Sequence, residues 1–556
     1  MDKYKLRFVP LGGVVGVTKN MYLYELYENS QLKEILIVDC GIGFPDDKDL
    51  GVDYVIPDIS YLKDKREKIK GIILSHGHED HISALPYYYK DLGEPEILGG
   101  KLTCAFVKNQ FKEFGLNIKI REVEFNKTYI IGSFKVNFIR LTHSIPDTLH
   151  IFIETPMGNI YHGTDFKLDL TPPYGKPPDF KKMSILSSKG VLCLLSDCLG
   201  SETQGLTLSE SAVSKTFDEE MAKTNGKFIM TTFSSNISRI RQCIEIALKY
   251  GRKIVFLGRS MKENTKTAKE IGYLPFHNNI FVREEEVKRF DPKKICLIVA
   301  GSQGQYNSAL MKLATDQNLS IKLNKGDKVF FSSDPIPGNE KEVYFLIEQL
   351  MLKDIDVVYP DIKDQLHASG HGNQEDLKFL IRLVNPKFLI PIGGTVRHQR
   401  QYSLLVGDLG YKNENIFLLR EGETVFFFQE KMKKGEKVET KNIYVDAYGV
   451  GDVGRVVLRD RRTLSSEGMV VLFAVIDEKG ALIVSPRIIT RGFVFEKKSE
   501  GLIGEAENLV VKYFSKGPGR IVDLNSIKKN ITEELEELFF NKTGRKPIVI
   551  TDIIQI

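Results

Sequence analysis

Residues 72–81 read IILSHGHEDH, an apolar strand that runs directly into four side chains able to bind a metal ion. These side chains are His76, His78, Asp80 and His81. Because a glycine turn separates them, the first two can face one cation and the last two a second cation. Imidazole and carboxylate together suit Zn²⁺ or Mn²⁺ better than Ca²⁺. The stretch therefore predicts part of a two-metal site, and the alternative is a surface loop that is rich in histidine by chance.

The remaining ligands must come from other loops of the chain. His143 follows the apolar run Phe138–Leu141, and Asp165 follows Ile160–His162. A carboxylate such as Asp165 can bridge two cations roughly 3.5–4 Å apart, as two-metal hydrolysis requires. Each residue alone has a plainer interpretation, since a single histidine after a strand is more often packed or capping. Considered together with the four ligand types of residues 76–81, both His143 and Asp165 are predicted ligands.

Length and composition limit the class of protein. A chain of 556 residues is too long for a single core and predicts about three domains. The net charge of +5 is mild and does not by itself indicate a nucleic-acid partner, although basic and acidic residues can lie on different faces. The six cysteines are scattered, which excludes a disulfide framework and favours a reducing compartment.

The chain has no sign of a membrane or export signal. Its first residues, MDKYKLRFVPLGG, lack the apolar core of a signal peptide. The longest apolar run, Met469–Ile476, has the length of a strand and not of a membrane span. We therefore expect a cytoplasmic protein that does not bind membranes.

The pattern of strands and helices changes near residue 205. Before it, short strands end in His or Asp at glycine-containing turns, as in a sandwich that presents its chemistry at loop edges. After it, an amphipathic helix opens at Leu208-Ser209 and alternates with strands Phe228–Thr232, Ile254–Leu257, Ile295–Ala300 and Val329–Ser332. This pattern predicts a parallel, doubly wound domain over 206-365, inserted between 1-205 and 366-428 of a first domain.

The end of the chain carries no chemical signature of its own. The Lys- and Glu-rich stretch Gln429–Lys441 predicts a solvated linker, placed at 429-450. Residues 451-556 predict a small α+β domain with strands Met469–Ile476 and Ala481–Val484. Its last helix carries Leu524, Ile527, Ile531, Leu535 and Leu538.

Taken together, the motifs resemble those of the ribonuclease J family, which are β-CASP nucleases of the metallo-β-lactamase superfamily. The matching stretches are LSHGHEDHISALPY (74–87), THSIPD (142–147), GTDFKLD (163–169), LLSD (194–197), TTFSSNISRIRQ (231–242), GSQG (301–304), SSDPIPGNE (332–340), HASGHGNQEDLK (367–378) and RHQ (397–399). The resemblance implies an α/β fold. It consists of a metallo-β-lactamase αββα sandwich with an inserted doubly wound β-CASP domain and a small C-terminal α+β domain.

The resemblance also implies a complete site. One zinc would be held by His76, His78 and His143, the other by Asp80, His81 and His398, with Asp165 bridging. His398 comes from the resemblance alone, because a histidine after Arg397 would otherwise pass as a surface residue. The catalytic residues would be Asp197 and His371, and the RNA phosphates would be bound by Ser235, Asn236, Ile237, His367, Ala368, Ser369, Gly370 and His371.

The implied activity is that of a metal-dependent ribonuclease. It would be a 5′-to-3′ exonuclease that prefers 5′-monophosphorylated RNA and also cuts internally, acting in rRNA processing and mRNA decay. Two Zn²⁺, or Mn²⁺ in their place, would activate a hydroxide for attack on the phosphodiester. The implied partners are single-stranded RNA and further subunits, as a homodimer or homotetramer, with a paralogous subunit or in an RNA degradation complex.

The residue types suggest roles that the sequence leaves open. Asp197 follows a buried strand, and His371 lies between two glycines, so either can donate or accept the proton. Ser235, Asn236 and Ser369 precede helices, where they can cradle a phosphate. The alternative is ordinary helix capping by Ser235 or Ser238. Two nearby arginines, Arg239 and Arg241, either contact phosphate or belong to a solvated helix face.

Two segments depart from the family pattern. The segment before the last ligand usually reads HGEYRH and here reads GGTVRH (393–398), so the ligand is kept while its polar neighbours differ. The segment SDCLGSETQG (196–205) differs from the usual SDSTN type. Three alternatives remain: a small-substrate hydrolase without need for the insertion, a non-catalytic RNA-binding scaffold that would lack ligands, and a DNA-processing nuclease.

Overall fold

The computed structural model describes residues 3–46, 48–336, 338–428, 431–446, 449–494, 500–515 and 524–556. The chain divides into two compact units. The first comprises Met1–Gly43 and Ile56–Asn442, and the second comprises Phe44–Val55 and Ile443–Ile556. Among the described helices, none is long and apolar enough to cross a membrane.

The first 200 residues are mainly strands. These are β1 (Tyr4–Pro10), β2 (Tyr22–Glu28), β3 (Gln31–Val38), β4 (Tyr54–Ile56), β5 (Ile69–Ile73), β6 (Ile97–Gly99), β7 (Ile120–Glu122), β8 (Thr128–Ile131), β9 (Phe134–Arg140), β10 (Leu149–Thr155), β11 (Gly158–Gly163) and β12 (Cys193–Asp197). The helices between them are α1 (Glu79–Ile82), α2 (Leu85–Tyr88), α3 (Lys101–Glu113) and α4 (Phe180–Ser187).

The middle of the chain alternates helices and strands, as predicted. The helices are α5 (Glu210–Lys223), α6 (Ile237–Lys249), α7 (Arg259–Glu270), α8 (Ala309–Ala314) and α9 (Glu340–Met351). The strands are β13 (Phe228–Thr231), β14 (Lys253–Leu257), β15 (Ile295–Val299), β16 (Lys328–Phe331) and β17 (Asp356–Val358). The strands form a parallel sheet in the order β14-β15-β13-β16-β17, which confirms the inserted parallel fold.

The chain then returns to the sandwich. It adds α10 (Gln374–Val384), β18 (Phe388–Ile392), α11 (Val396–Asp408), β19 (Val425–Phe428) and β20 (Lys431–Lys434). One sheet has the order β20-β19-β1-β2-β3-β5-β6-β7 and the other β18-β12-β11-β10-β9-β8. The two sheets share one apolar core, which includes Phe8 and Tyr24 from one and Ile151 and Leu195 from the other.

Helices complete the predicted αββα arrangement. The outer face of the six-stranded sheet packs on α4, α10 and α11 through residues such as Met183, Leu380 and Tyr402. On the eight-stranded sheet, α3 contacts β6 and β7. Short 3-10 turns span Ser60–Leu62, Arg66–Lys68, Leu199–Glu202, Asn278–Ile280, Glu284–Arg289, Pro292–Lys294 and Asn413–Asn415.

The second unit is a small α+β structure, as predicted. Its elements are β21 (Ile443–Asp446), β22 (Gly449–Val450), α12 (Arg455–Glu467), β23 (Met469–Ile476), β24 (Arg487–Arg491), α13 (Glu500–Ser515), α14 (Leu524–Thr543) and β25 (Ile548–Gln555). The sheet β24-β23-β25 packs on α13 and α14. A second small sheet has the order β22-β21-β4.

Two predicted elements at the end of the chain are wrong. The predicted strand over residues 481–484 is reduced to a single bridge between Leu482 and Ile476, beside which Ile483 donates its N–H to the carbonyl of Val475. The Asp477 side chain accepts the backbone N–H of Ala481 in a turn, and β24 takes the edge of β23 instead. Within the predicted linker, Lys431–Lys434 pair with β19 as an edge strand, while residues 429–430 lie outside the described residues.

Candidate metal centre

The predicted ligands lie at one end of the sandwich, where several strands finish. The loop after β5 carries His76 and His78 and leads into α1, whereas Asp165 and Asp197 end or follow β11 and β12. Because β11, β12 and β18 are parallel neighbours, their carboxyl ends open onto one edge of the sheet. The order of the strands thus brings together residues that are far apart in sequence.

The first group of ligand atoms belongs to His76, His78, His143 and Asp165. One atom from each residue lies within 4.8 Å of the other three. The Nε2 atoms of His76 and His143 are 3.0 and 3.1 Å from Nδ1 of His78. Asp165 Oδ2 is 3.8 Å from the same two Nε2 atoms. The group matches the first predicted ligand set.

Hydrogen bonds on the far side of two rings fix which nitrogen carries the proton. His143 donates from Nδ1 to the carbonyl oxygen of Gly370 over 2.6 Å. His76 Nδ1 lies 2.9 Å from the hydroxyl of Ser75, whose own proton goes to the carboxylate of Asp39 over 2.7 Å. Both rings are therefore protonated at Nδ1, and their Nε2 atoms carry bare lone pairs.

His78 completes this arrangement. Its Nε2 lies 3.3 Å from the hydroxyl of Ser144, which can accept the Nε2 proton and leave Nδ1 bare. In this tautomer the bare nitrogens of His76 and His143 each lie about 3 Å from that of His78. Three lone pairs at this distance repel unless a cation lies between them, so the donor set fits a divalent metal.

The pKa values of these rings agree with a metal-binding role. Burial and neighbouring imidazoles lower the pKa of His76 and of His143 well below the usual range. Burial also lowers the pKa of His78 to about 4. All three rings are therefore neutral at neutral pH, the form that binds metals.

A second group is formed by Asp80, His81 and Asp165. One ligand atom from each residue lies within 4.8 Å of the others. His81 Nε2 is 3.5 Å from Asp80 Oδ2 and 3.4 Å from Asp165 Oδ2. Although burial opposes a charge on the ring, the surrounding carboxylates raise the pKa of His81 well above its usual value. Asp165 belongs to both groups, as a bridging carboxylate must.

Asp39 supports the second group, and the sequence did not single it out. It follows β3 and has a φ of 60°. Its carboxylate accepts the backbone N–H and the hydroxyl of Ser75 and, over 2.7 Å, Nδ1–H of His81. It therefore turns His81 Nε2 toward Asp80 and Asp165. The only signal in the sequence is a carboxylate at the end of an apolar strand.

Asp197 and His371 form a hydrogen-bonded pair next to the two ligand groups. His371 Nδ1 is 2.7 Å from Asp197 Oδ2, and its Nε2 is 3.9 Å from Asp165 Oδ2. Burial opposes a charge on His371, but Asp197 and Asp165 outweigh it and raise the pKa of His371 to about 9. Burial raises the pKa of Asp197. The pair can therefore hold a proton next to the metal groups.

His398 lies close to the centre but outside the three groups found among the described residues. Its Nδ1 accepts the backbone N–H of Thr395 at the start of α11, and its Nε2 is 3.6 Å from Glu202. The same loop borders the centre, because a Cβ on Gly393 would lie 3.6 Å from Asp165 Oδ1. The role of His398 as a ligand stays a prediction.

The two predicted RNA-binding stretches meet at the edge of the parallel sheet. Asn236 caps α6, since its Oδ1 accepts the backbone N–H of Arg239 over 3.0 Å. Its buried Nδ2 has no hydrogen-bond partner within the described residues. His367 Nδ1 lies 3.3 Å from the carbonyl of Ser332, which follows the neighbouring strand β16. The cap of α6 is therefore Asn236 and not Ser235 or Ser238, and the Nδ2–H groups of Asn236 have no partner among the described residues.

Neither interpretation of Arg239 from the sequence is right. Its guanidinium is fully buried and donates to Glu210 over 2.6 and 3.0 Å and to Ser332 over 2.6 Å. Lys167 shares the same carboxylate over 2.8 Å. Arg241 instead pairs with Glu245 over 3.0 Å on the helix surface.

Family models match most of the chain. The model described as the metallo-beta-lactamase superfamily matches residues 16–190. The model described as the beta-CASP domain of ribonuclease J matches residues 225–350, and that of the ribonuclease J C-terminal domain matches residues 456–556.

Relatives match over the full length. The chain is 36% identical over 555 residues to ribonuclease J2 of Bacillus subtilis, covering 99% of both chains. It is 35% identical over 548 residues to ribonuclease J 1 of Streptococcus pyogenes, covering 98% of this chain and 96% of the relative. A crystal structure of a protein of unknown function from Enterococcus faecalis shares the fold. It has a TM-score of 0.54 and 16% identity, and the match covers 76% of this chain and 100% of that one.

Proposed function

The chain belongs to the ribonuclease J family of metallo-β-lactamase/β-CASP nucleases, and from this premise we propose that it is a two-metal ribonuclease that degrades RNA from the 5′ end. It prefers a 5′-monophosphate and also cuts internally, in rRNA processing and mRNA decay. It acts in the cytoplasm as a homodimer or homotetramer, alone or within a larger degradation complex.

One observation carries the proposal: Asp165 is shared by two ligand groups that lie next to the Asp197–His371 pair. His76, His78 and His143 would hold one cation, and Asp80, His81 and His398 the other. The donor set of imidazoles and carboxylates supports Zn²⁺, with Mn²⁺ as the substitute. When bound, two such cations activate water and stabilise the charge that develops on phosphorus.

We assign proton transfer to His371. The Asp197 carboxylate is already bonded to His371 Nδ1 and to the backbone N–H of Leu199, so it orients the ring. His371 Nε2 faces Asp165 and can carry a proton to the leaving oxygen of the RNA. The scaffold alternative gains no support, because the ligand groups are present.

The RNA phosphates would bind at Ser235–Ile237 and at His367–His371. The start of α6 supports this assignment, because backbone N–H groups at a helix N-terminus suit an anion and the buried Nδ2 of Asn236 there has no partner among the described residues. A pocket for the terminal phosphate beside the metal centre would measure the RNA from its 5′ end.

The test uses three RNAs of one sequence that carry a 5′-monophosphate, a 5′-triphosphate or a 5′-hydroxyl and are labelled at every nucleotide. We expect mononucleotide release to be fastest from the monophosphate. Equal rates on all three ends without mononucleotide products would overturn the exonuclease assignment.

Two additional samples separate the alternatives. Single-stranded DNA of the same sequence should be cut much more slowly, and equal rates would favour a DNA-processing nuclease. The Asn236→Ala variant should lose the preference for the monophosphate while it still cleaves the hydroxyl-ended RNA.

A further inference from the structure

A buried asparagine touches only one half of the metal centre. Asn20 Nδ2 lies 3.2 Å from Asp80 Oδ2 and 3.0 Å from His81 Nε2. Asn20 is 1% exposed, so water does not compete for these contacts. We infer that Asn20 is a positioning residue that sets the metal affinity of the Asp80/His81 half of the centre.

The backbone of Asn20 is fixed against the same ligands. Its N–H donates to the carbonyl oxygen of Asp80 over 3.0 Å, and its own carbonyl accepts the N–H of Gly41 over 2.9 Å. A Cβ on Gly41 would lie 1.6 Å from the Asp80 carbonyl, so these segments pack without room for a side chain. The amide of Asn20 is therefore held at a set distance from Asp80 and His81.

A tyrosine fixes which end of the amide faces the ligands. The hydroxyl of Tyr22, itself buried, lies 2.8 Å from Asn20 Oδ1 and 2.9 Å from the carbonyl of Gly13. The amide oxygen of Asn20 shares the single proton of this hydroxyl with the Gly13 carbonyl, and the amino group turns to the other side. There it lies within 3.3 Å of Asp80 Oδ2, of His81 Nε2 and of the carbonyls of Val17 and Asp80.

This arrangement gives Asn20 a defined task. Its side chain lies against Asp80 Oδ2 and the His81 ring, so both ligands keep their places when no cation is bound. Asparagine does not titrate, so this support does not depend on pH. No contact joins it to His76, His78 or His143 among the described residues, so its effect should be confined to one half of the centre. The inference rests on the proposed two-metal function.

The test measures binding of Zn²⁺ alone to the full chain, without RNA. Wild type and Asn20→Ala are loaded with Zn²⁺ and dialysed against graded chelator, and the zinc content is measured by mass spectrometry. We expect one of the two zinc ions to leave Asn20→Ala at roughly tenfold to a hundredfold lower chelator strength, as for loss of other groups that orient ligands. The second zinc should leave at the wild-type strength. Tyr22→Phe should shift the same zinc in the same direction by less.

The matched control is Asn137→Ala, which removes another buried asparagine of the sandwich. Among the described residues, Asn137 bonds to Thr128 and Glu154 and to none of the proposed ligands. Its two zinc ions should leave as in the wild type. If Asn20→Ala and Tyr22→Phe both release zinc like the wild type, the inference is wrong, and Tyr22→Phe alone decides it should Asn20→Ala not fold. A wild type that binds only one zinc would instead overturn the two-metal proposal.

Discussion

Variants of Asp80 and its neighbour Glu79 test whether activity depends on a metal ligand or on any acidic residue near the centre. Asp80 belongs to the second ligand group, whereas Glu79 is an exposed acid in the same short helix and in none of the groups. We expect Asp80→Ala to lower the rate of RNA hydrolysis about a thousandfold, which corresponds to roughly 4 kcal/mol of lost transition-state stabilisation. RNA binding, measured by fluorescence anisotropy, should be kept.

Glu79→Ala is the control and should hydrolyse RNA at close to the wild-type rate. Equal losses in both variants would mean that α1 is sensitive to any substitution. Full activity of Asp80→Ala would contradict the role of Asp80 as a ligand.

At the scale of single residues, the sequence predicts the densest part of the site and misses its supports. Four ligand types within residues 76–81 are a rare concentration, so they stand out. Asp39 and Asn20 are single polar residues beside strands, and dozens of others look the same. Their roles depend on which loops meet, and this is decided by the order of the strands.

Asp376 holds together three segments of the chain, each of which follows a residue of the proposed active site. Its carboxylate accepts the N–H of Leu168 over 3.1 Å, that of Thr207 over 2.8 Å and that of Asn373 over 3.1 Å. These segments follow Asp165, Asp197 and His371 along the chain. We expect Asp376→Asn to lower kcat for RNA hydrolysis roughly a hundredfold, since displacement by about 1 Å costs this much.

The control for this variant is Glu375→Gln, which removes a neighbouring charge whose ion pair among the described residues is with Lys378 on the surface. It should leave kcat unchanged. Zinc content should be equal in both variants, and an unaltered kcat in Asp376→Asn would show that the three segments hold their places without it.

The buried ion cluster of Glu210 predicts a pH dependence of stability. Burial opposes the charge, but Arg239 and Lys167 outweigh it and lower the pKa of Glu210 to about 2. A lowered folded-state pKa stabilises the fold fully above the unfolded value near 4.5, and this contribution is lost as the pH falls toward 2. The contribution at neutral pH is about 3 kcal/mol.

Urea unfolding checks this prediction. Glu210→Gln should be less stable than the wild type at pH 7, and the difference in unfolding free energy should shrink between pH 5 and pH 3. Glu245→Gln, whose partner Arg241 lies on the surface of α6, is the control and should differ little at either pH. A constant difference for Glu210→Gln would exclude the shifted pKa as its cause.

Among the elements, those with strong local patterns were predictable. The helix over Glu210–Lys223 and the parallel strands have clear apolar periodicity and follow the expected order. The edge strands Lys431–Lys434 and Arg487–Arg491 have no such periodicity, because the charged residues of a strand at a sheet edge resemble those of a linker. Pairing with a distant strand, and not local preference, makes them strands.

At the scale of the whole chain, one segment departs from the order of the sequence. Phe44–Val55 belongs to the second compact unit, although its neighbours on both sides belong to the first. Within the second unit, Val52 packs with Val453 and Leu458. No sequence pattern shows that this segment belongs to the second unit, because residues 44–55 have the composition of an ordinary polar loop with acidic residues at its tip.

Because Phe44–Val55 belongs to the second unit, its packing predicts the effect of truncation after Asn442. All proposed metal ligands lie in the first unit, so the shortened chain should still bind zinc. Residues 44–55 would lose the apolar contacts of Val52 and the hydrogen bonds from Arg461 and Arg462 to the backbone of residues 48–51. We expect limited proteolysis to cut the truncated chain within this segment at least tenfold faster than the full chain, since it becomes an unsupported loop.

The double variant Arg461→Ala/Arg462→Ala of the full chain should be cut at an intermediate rate, because the Val52 contacts remain. Equal cleavage of the full and truncated chains would show that the segment is held without the second unit.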